Sequence, residues 1–432
     1  SCNKPVILCG NEGYFGICRE ENFDLAAKEN FCARGYPPPD AERLFADICA
    51  LFDRLDSQNL RLRERVVKGY RAELMAQKTV SVYKKAIGHF KSRLKYDALL
   101  CGYYGFGNAG DELVGRHIID SLAPMRIAVV GARGGGRIRR FDIPRLCYAI
   151  KNSSGVILGG GSLLQNATSR RSLEYYLFIL KLANRYGKKV MLYANGIGPL
   201  NGKSARTACK KALRYADTVS LRDSASLSAA DSILPKDTLR YLTCDPALAP
   251  LTSVRRFDRI AIFIRGEDES RELTAALSRC GKLFGNSEAV FAPMNLKRDL
   301  RASQRLAASM PFLARTQVFD GTDELVSFIS ESRFVISSRL HALIIAASSG
   351  VPFVALCADP KLKSFVLDCG LPTLLAVPID SRTGDGLVRA MEYLLENEGE
   401  ISRLLKQRTA ELCRLSKRDA SEAVRLFLCE ST

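Results

Sequence analysis

The residues best suited to chemistry stand at the ends of apolar runs. Ser337-Ser-Arg339-Leu-His341 follows the strand-like FVI, and Lys361 and Lys363 follow the next such run, VPFVALCADP. Arg, His and Lys gathered at neighbouring strand ends would hold a small dianion or trianion, and the imidazole could donate a proton near neutral pH. The chain has only three histidines. A lone one is more often structural, but the nearby arginine favours a functional reading here. Gly105-Phe-Gly107-Asn108-Ala-Gly110-Asp111 also follows an apolar run and opens a helix. Its glycines let the backbone approach a ligand, and a helix N-terminus favours an anion, yet an Asp after the third Gly would repel a pyrophosphate. Asp111 therefore reads either as the cap of a tight turn or as a base for a sugar hydroxyl. Gly159-Gly160-Gly161-Ser162 is a second such loop, either a plain turn or an anion nest. The Arg133–Arg145 stretch holds five arginines against Asp142. It reads as a mobile solvated loop, with a substrate clamp as the alternative.

The elements that must position these residues are strand–glycine loop–helix units. DALLCGYYGFGNAGDELVGRHIIDSL, AVVGARGGG, GVILGGGSLLQ, KVMLYANGIGP and TVSLRDSASL form one series from residue 96. A break follows CDPALAPL (244–251), and RIAIFIRG, EAVFAPMN, FVISSRLHALIIAASSG and VPFVALCADP form a second. The alternation predicts parallel sheets flanked by helices. The expected α/β architecture is two Rossmann-like domains facing a cleft, 96–252 and 253–432, with ligands at the carboxyl ends of the strands. From about residue 384 the pattern is one or two amphipathic closing helices.

Residues 1–95 read as a separate α/β unit. PVILCG looks like a buried strand, and Pro37-Pro-Pro-Asp40 opens a helix capped by Asp40. Leu44, Phe45, Ile48, Cys49, Leu51, Phe52 and Leu55 lie along one face of that helix.

Composition narrows the function classes. At 432 residues the chain allows roughly three units of about 150 residues. Its net charge of +18 favours anionic partners, and residues 61–95 alone carry eleven Lys/Arg against Glu64 and Glu73, a net +9. That segment reads as a solvated helix face or as a surface approaching anionic lipid. A nucleic-acid binder is disfavoured, because no motif of that class occurs and aromatics do not interleave the basic run. Fourteen cysteines without a CxxC pair exclude zinc-ribbon and thioredoxin-like sites. Those in apolar runs, such as Cys101 and Cys357, behave as small hydrophobes and fit a reducing cytoplasm. No signal peptide opens the sequence, and the longest apolar stretch, His341–Ala358, is broken by Pro352, so membrane contact is expected to be peripheral. The chain starts at Ser1 and enters a strand-like run at once, which reads as a piece of a longer protein.

GYYGFGNAGDE, GGGSLLQNATSRRSLEYY, ANGIGPL, SLRDSASL, CDPAL, FAPMN and SSRLHALIIAASSGVPFVALCADPK, in this order, resemble the polysaccharide pyruvyltransferase family over roughly residues 97–400. The look is closest to the bacterial branch that ketalates N-acetylmannosamine in secondary cell-wall polymers. The family is similar in architecture to glycosyltransferases of the two-Rossmann B type, including some sialyltransferases. Residues 1–95 fall outside this resemblance and look like the tail of a B-type glycosyltransferase. Ala109, Asn166 and Asn195 depart from the usual pattern, which bears on fine acceptor specificity.

The resemblance implies pyruvyl transfer from phosphoenolpyruvate to a lipid-linked saccharide at the inner membrane face, with release of phosphate and no metal or other cofactor. It implies donor-side roles for Arg222, Arg339 and Lys361, which would bind the carboxylate and phosphate. His341 is the expected acid and Asp111 the expected base. Gly107, Asn108, Gly160, Gly161 and Ser162 are the candidate acceptor or anion loops. The rival readings are a B-type glycosyltransferase using a nucleotide sugar and a non-catalytic binding protein.

Overall fold

A computed structural model of the chain describes residues 6–428 apart from 11–12, 29, 34, 39, 53–59, 93, 133, 135, 168, 252–255 and 381. It divides into two compact units, Ser1–Lys91 and Ser92–Thr432.

In the first unit β1 (Val6–Gly10) and β2 (Gly13–Cys18) pair antiparallel. Helices α1 (Phe23–Lys28), α2 (Ala41–Phe52), α3 (Leu60–Gly69) and α4 (Ala72–Ser92) follow. The core is small, built on Phe15, Cys18, Phe23, Ala26 and Ala33. The run expected to be a buried strand is the open arm of a hairpin, with Val6 48% exposed, because so few residues are available to cover it. Asp40 caps α2 as expected, its carboxylate accepting from the Glu42 amide at 3.3 Å. The apolar face of α2 is uncovered, however: Phe45 and Phe52 are exposed. Leu55 and Pro39 lie outside the described residues.

The second unit holds two parallel sheets. The first contains β3 (Tyr96–Tyr104), β4 (Ile127–Gly131), β5 (Ile138–Arg139), β6 (Ser153–Gly159), β7 (Lys189–Asn195), β8 (Thr218–Leu221) and β9 (Leu239–Leu242), in the order β5-β4-β3-β6-β7-β8-β9. Helices α5 (Ala109–Ser121), α6 (Ile143–Lys151), α7 (Arg170–Arg185), α8 (Lys203–Leu213) and α9 (Ser224–Asp231) connect them. The second contains β10 (Phe257–Phe263), β11 (Glu288–Phe291), β12 (Ala314–Thr316), β13 (Ser332–Ser337), β14 (Phe353–Cys357) and β15 (Ala376–Pro378), in the order β12-β11-β10-β13-β14-β15. Its helices are α10 (Arg271–Cys280), α11 (Leu296–Ser309), α12 (Thr322–Ser330), α13 (Leu340–Ser348), α14 (Pro360–Asp368), α15 (Thr383–Glu396) and α16 (Glu398–Phe427). Central strands are covered on both faces, which is why they read as unbroken apolar runs rather than alternating ones. The fold is thus two Rossmann-like domains, and the boundary expected at 252/253 falls outside the described residues.

The closing helix α16 returns to the first sheet. Buried Asp419 accepts from Tyr241 Oη at 3.0 Å and Thr243 Oγ1 at 2.5 Å, and Phe427 packs where a Cβ on Gly155 would stand. One continuous core therefore joins both sheets. Strand order reverses between β3 and β6 in one sheet and between β10 and β13 in the other. Crevices at such switch points, at the carboxyl strand ends, are where open α/β sheets hold ligands.

Candidate functional site

A cavity of about 220 Å³ lies where the two switch points face each other. The first domain contributes Asn108, Asp111, Gly161, Ser162 and Arg222, and the second contributes Arg265, Arg339, His341 and Lys361. The two domains are stitched at its edge. Asn108 and Asn295 form an isolated β-bridge, and the Ala109 amide donates to Met294 O at 3.2 Å. The small side chain of Ala109 suits this close approach of the two loops.

Asp111 sits in the first turn of α5, so the amide end of that helix faces the cavity. Asn108 Nδ2 donates to its carboxylate. Desolvation nevertheless dominates, with help from Asp245, and pushes the acid up to about 7. His341 comes from the opposite domain, in the first turn of α13. Its Nε2 is buried with no hydrogen-bond partner among the described residues. Burial lowers its pKa, Asp245 opposes this, and Arg222 and Arg339 add to the depression.

The two arginines are held by buried acids. Arg222 donates to Asp245 and to Ser162 Oγ, both at 2.8 Å, and lies 3.4 Å from Asp223. Burial opposes its charge, but those carboxylates outweigh it and raise its pKa. Arg339 pairs with both oxygens of Asp299, which is 0% exposed and also accepts from the Asn295 amide at 2.9 Å. Lys361 is different. Burial and neighbouring Arg222 lower its pKa, while Asp359, whose Oδ1 caps α14 through the Lys361 amide at 3.0 Å, partly offsets this. It is the cation of the cavity whose charge is least compensated, and anion binding would stabilise it most.

Some sequence candidates fall elsewhere. Lys363 is exposed and does not reach the cavity. Gly107 does not line it. Gly160 does not either: its amide donates to Tyr193 O at 2.7 Å, and a Cβ there would meet Val114 at 2.1 Å. It packs the loop onto α5 and offers no donor to an anion. Asn166 ties its loop to Asn201 and Asn195 is buried against Leu158 O, so neither departure from the family pattern faces the cavity. The Arg133–Arg145 stretch is not simply a solvated loop. Arg137 pairs with Glu112 at 2.8 Å, and Arg140 is wedged among aromatic rings, 4.3 Å from Tyr175 and 5.2 Å from Tyr176. Arg133 lies outside the described residues.

Sequence reasoning missed Asp245, Asp299 and Arg265. Asp245 lay within a quoted motif, but nothing marked it as the partner of Arg222. Asp299 sits in the polar run LKRDLRASQ, which reads as a solvated helix surface.

Among solved structures the fold is similar to a co-structure of S. aureus MnaA with UDP (TM-score 0.54, 11% identity, 78% of this chain and 98% of that one). It is also similar to Anabaena HepE with UDP-glucose (0.51, 11%, 76% and 98%) and to UDP-GlcNAc 2-epimerase from Neisseria meningitidis bound to UDP-GlcNAc (0.50, 10%, 76% and 98%). At such identities the likeness is one of fold, the two facing Rossmann-like domains of the glycosyltransferase-B type. No curated protein matches the sequence. The family model for polysaccharide pyruvyl transferase matches residues 47–357. The match takes in helices α3 and α4, which the sequence reading set outside the family, and stops short of Lys361. It spans most of the chain, which therefore belongs to the polysaccharide pyruvyl transferase family.

Proposed function

We propose that the protein transfers the enolpyruvyl group of phosphoenolpyruvate to a saccharide, forming a cyclic pyruvate ketal and releasing phosphate. N-acetylmannosamine in a lipid-linked cell-wall precursor is the acceptor we favour, with no metal or other cofactor. The observation that carries this reading is the convergence of an acid poised near neutrality, an imidazole and four cations on one small cavity at facing strand ends.

The donor carries a charge of about −3 near neutral pH. Lys361 meets it directly, while Arg222 and Arg339, preorganised by their carboxylates, offer the remaining guanidinium donors. Binding this anion offsets the repulsion from the two arginines and raises the His341 pKa, which favours the imidazole as an acid. Asp111, from the opposite wall, takes the proton of the first acceptor hydroxyl as its oxygen bonds to C2. A proton reaches the C3 methylene, which becomes methyl. The C2–O–P bond then breaks, phosphate leaves with an acid proton from His341, and the second hydroxyl closes the ketal at C2 while losing its proton. Two hydroxyl protons are lost, one gained by C3 and one by the departing phosphate.

A nucleotide-sugar glycosyltransferase is the rival on the same fold. Phosphate release from phosphoenolpyruvate with a lipid-linked N-acetylmannosaminyl acceptor tests the proposal. Turnover only with a nucleotide sugar would overturn it. None of the described helices is long and apolar enough to cross a membrane. A lipid-linked acceptor is met at the membrane surface, and the basic helices α3 and α4, with exposed Met75, Val82 and Tyr83, suit that approach. Vesicle binding that favours anionic lipid and weakens with salt is the expected signature.

A further inference from the structure

A second cavity, of about 480 Å³, opens beside the first and shares Asn108, Asp111, Ser162 and Arg339 with it. Its charge is arranged differently. In the smaller cavity Arg222, Arg339 and Arg265 are each paired with a carboxylate. In the larger one Arg140, Arg171 and Arg298 line the wall, and none of them has an acid partner among the described residues. Arg140 is the most constrained, lying 5.8 Å from Tyr103, 5.7 Å from Phe106 and 4.3 Å from Tyr175. These rings fix the guanidinium in place, yet its Nε is buried without a hydrogen-bond partner among the described residues, as is the Tyr176 hydroxyl on the same wall. An orphaned buried donor is costly unless something bound there satisfies it.

Backbone adds to the same field. Ser169, Asn108 and Asn295, which precede α7, α5 and α11, all line this cavity. Three helix N-termini therefore bring partial positive charge to one space. Among the described residues that line it the only carboxylate is Asp111, whose pKa of about 7 leaves it partly neutral. Tyr103, half-buried and stacked on Phe106 with centroids 4.5 Å apart, supplies a flat apolar surface of the kind on which a sugar ring can lie.

We propose that this cavity receives the acceptor and selects one bearing an anionic substituent, a phosphate ester or a carboxylate. Arg140, Arg171 and Arg298 bind that group while Asp111 addresses the hydroxyls. The assignment of acceptor to this wall rests on the transfer reading above, but the preference for an anion can be measured without turnover. Protein saturated with phosphoenolpyruvate is titrated calorimetrically with N-acetylglucosamine, N-acetylglucosamine 1-phosphate and glucuronate. At least one anionic sugar should bind tenfold or more tightly than the neutral one, and comparison of the two identifies which anion is read. R140Q, or the exposed-site variants R171Q and R298Q if R140Q does not fold, should erase that advantage and leave the affinity for phosphoenolpyruvate unchanged. Equal binding of neutral and anionic sugars by the folded protein, or a preference that survives all three substitutions, overturns the inference. Failure of phosphoenolpyruvate to bind the unsubstituted protein instead removes the transferase reading, and the sugar titrations without donor still report on this cavity.

Discussion

The imidazole of His341 lies against the backbone of Gly110, so close that a Cβ on the glycine would stand 2.1 Å from Nδ1. The contact joins the two loops that line the cavity from either domain, and it gives the third glycine of the first loop a mechanical reason. Only a residue without a side chain lets the imidazole of one domain rest on the helix start of the other. Gly110→Ala should therefore displace the ring or the loop, costing about 1–3 kcal/mol as overpacking does, and lower turnover sharply. In a His341→Gly background the same substitution should be nearly neutral for Tm, since Nδ1, Cγ and Cβ, the atoms it would strike, are all gone. Equal destabilisation in both backgrounds would place the strain elsewhere.

Asp111 gives the reaction a pH signature. Its carboxyl, raised to about 7, must lose its proton to act as a base. The rate should therefore climb with pH up to about 7, with its fall at higher pH set by loss of the His341 proton, and Asp111→Asn should lower it by roughly 10²–10⁴ and flatten the rising limb. Stability runs the other way. An acid with a raised folded pKa contributes stability that is full below its unfolded value, near 3.8, and lost as pH rises through about 7. The Tm advantage of Asp111→Asn over the parent should thus grow between pH 5 and pH 8. A constant difference over that range would show that Asp111 titrates normally.

Much of this site is visible in the sequence, for a definite reason. Glycine loops and strand-end cations follow unbroken apolar runs, and parallel topology brings the carboxyl ends of such runs together. Asp111, Arg339, His341 and Lys361 are found that way, and Arg222 through the resemblance of SLRD. What stays hidden is pairing. Asp299 comes forty positions before the arginine it holds, inside a helix whose sequence reads as solvent-facing, and Asp245 is twenty-three positions from Arg222. Nothing local marks either as a partner. Arg140 is hidden for the complementary reason: its aromatic wall comes from β3 and α7 as well as its own loop, so only the folded chain shows that an arginine-rich segment is ordered. The first unit fails differently, because amphipathic spacing in α2 predicts a covered face and cannot say what covers it.

The Arg339–Asp299 pair separates donor binding from stability. Arg339→Ala removes a charge-assisted donor and also leaves a fully buried carboxylate unpaired, so phosphoenolpyruvate affinity should fall by about 2 kcal/mol and stability by about 3–5 kcal/mol. Adding Asp299→Asn should restore most of the stability, because the stranded charge is gone, without restoring donor affinity. Calorimetric titration and thermal melting of both variants check this. Recovery of donor binding in the double variant would show that Arg339 acts through structure alone.

Lys361 should behave in the opposite way. Its pKa is lowered chiefly by burial and then by Arg222, so the folded state carries its charge at a cost. That penalty is full below the folded pKa and disappears as pH rises to the unfolded value, near 10.5. Lys361→Met therefore removes the penalty, and Tm at pH 7 should hold or rise. Donor binding should suffer instead, since this ammonium is the cavity's least compensated charge. Phosphoenolpyruvate should raise the Tm of the unsubstituted protein by mass action and leave that of Lys361→Met almost unmoved. The contrast sets Lys361 apart from the paired arginines, whose loss lowers stability and binding together. A Lys361→Met protein that melts early yet is still protected by phosphoenolpyruvate would mean that the lysine supports the fold and the anion is held by the arginines.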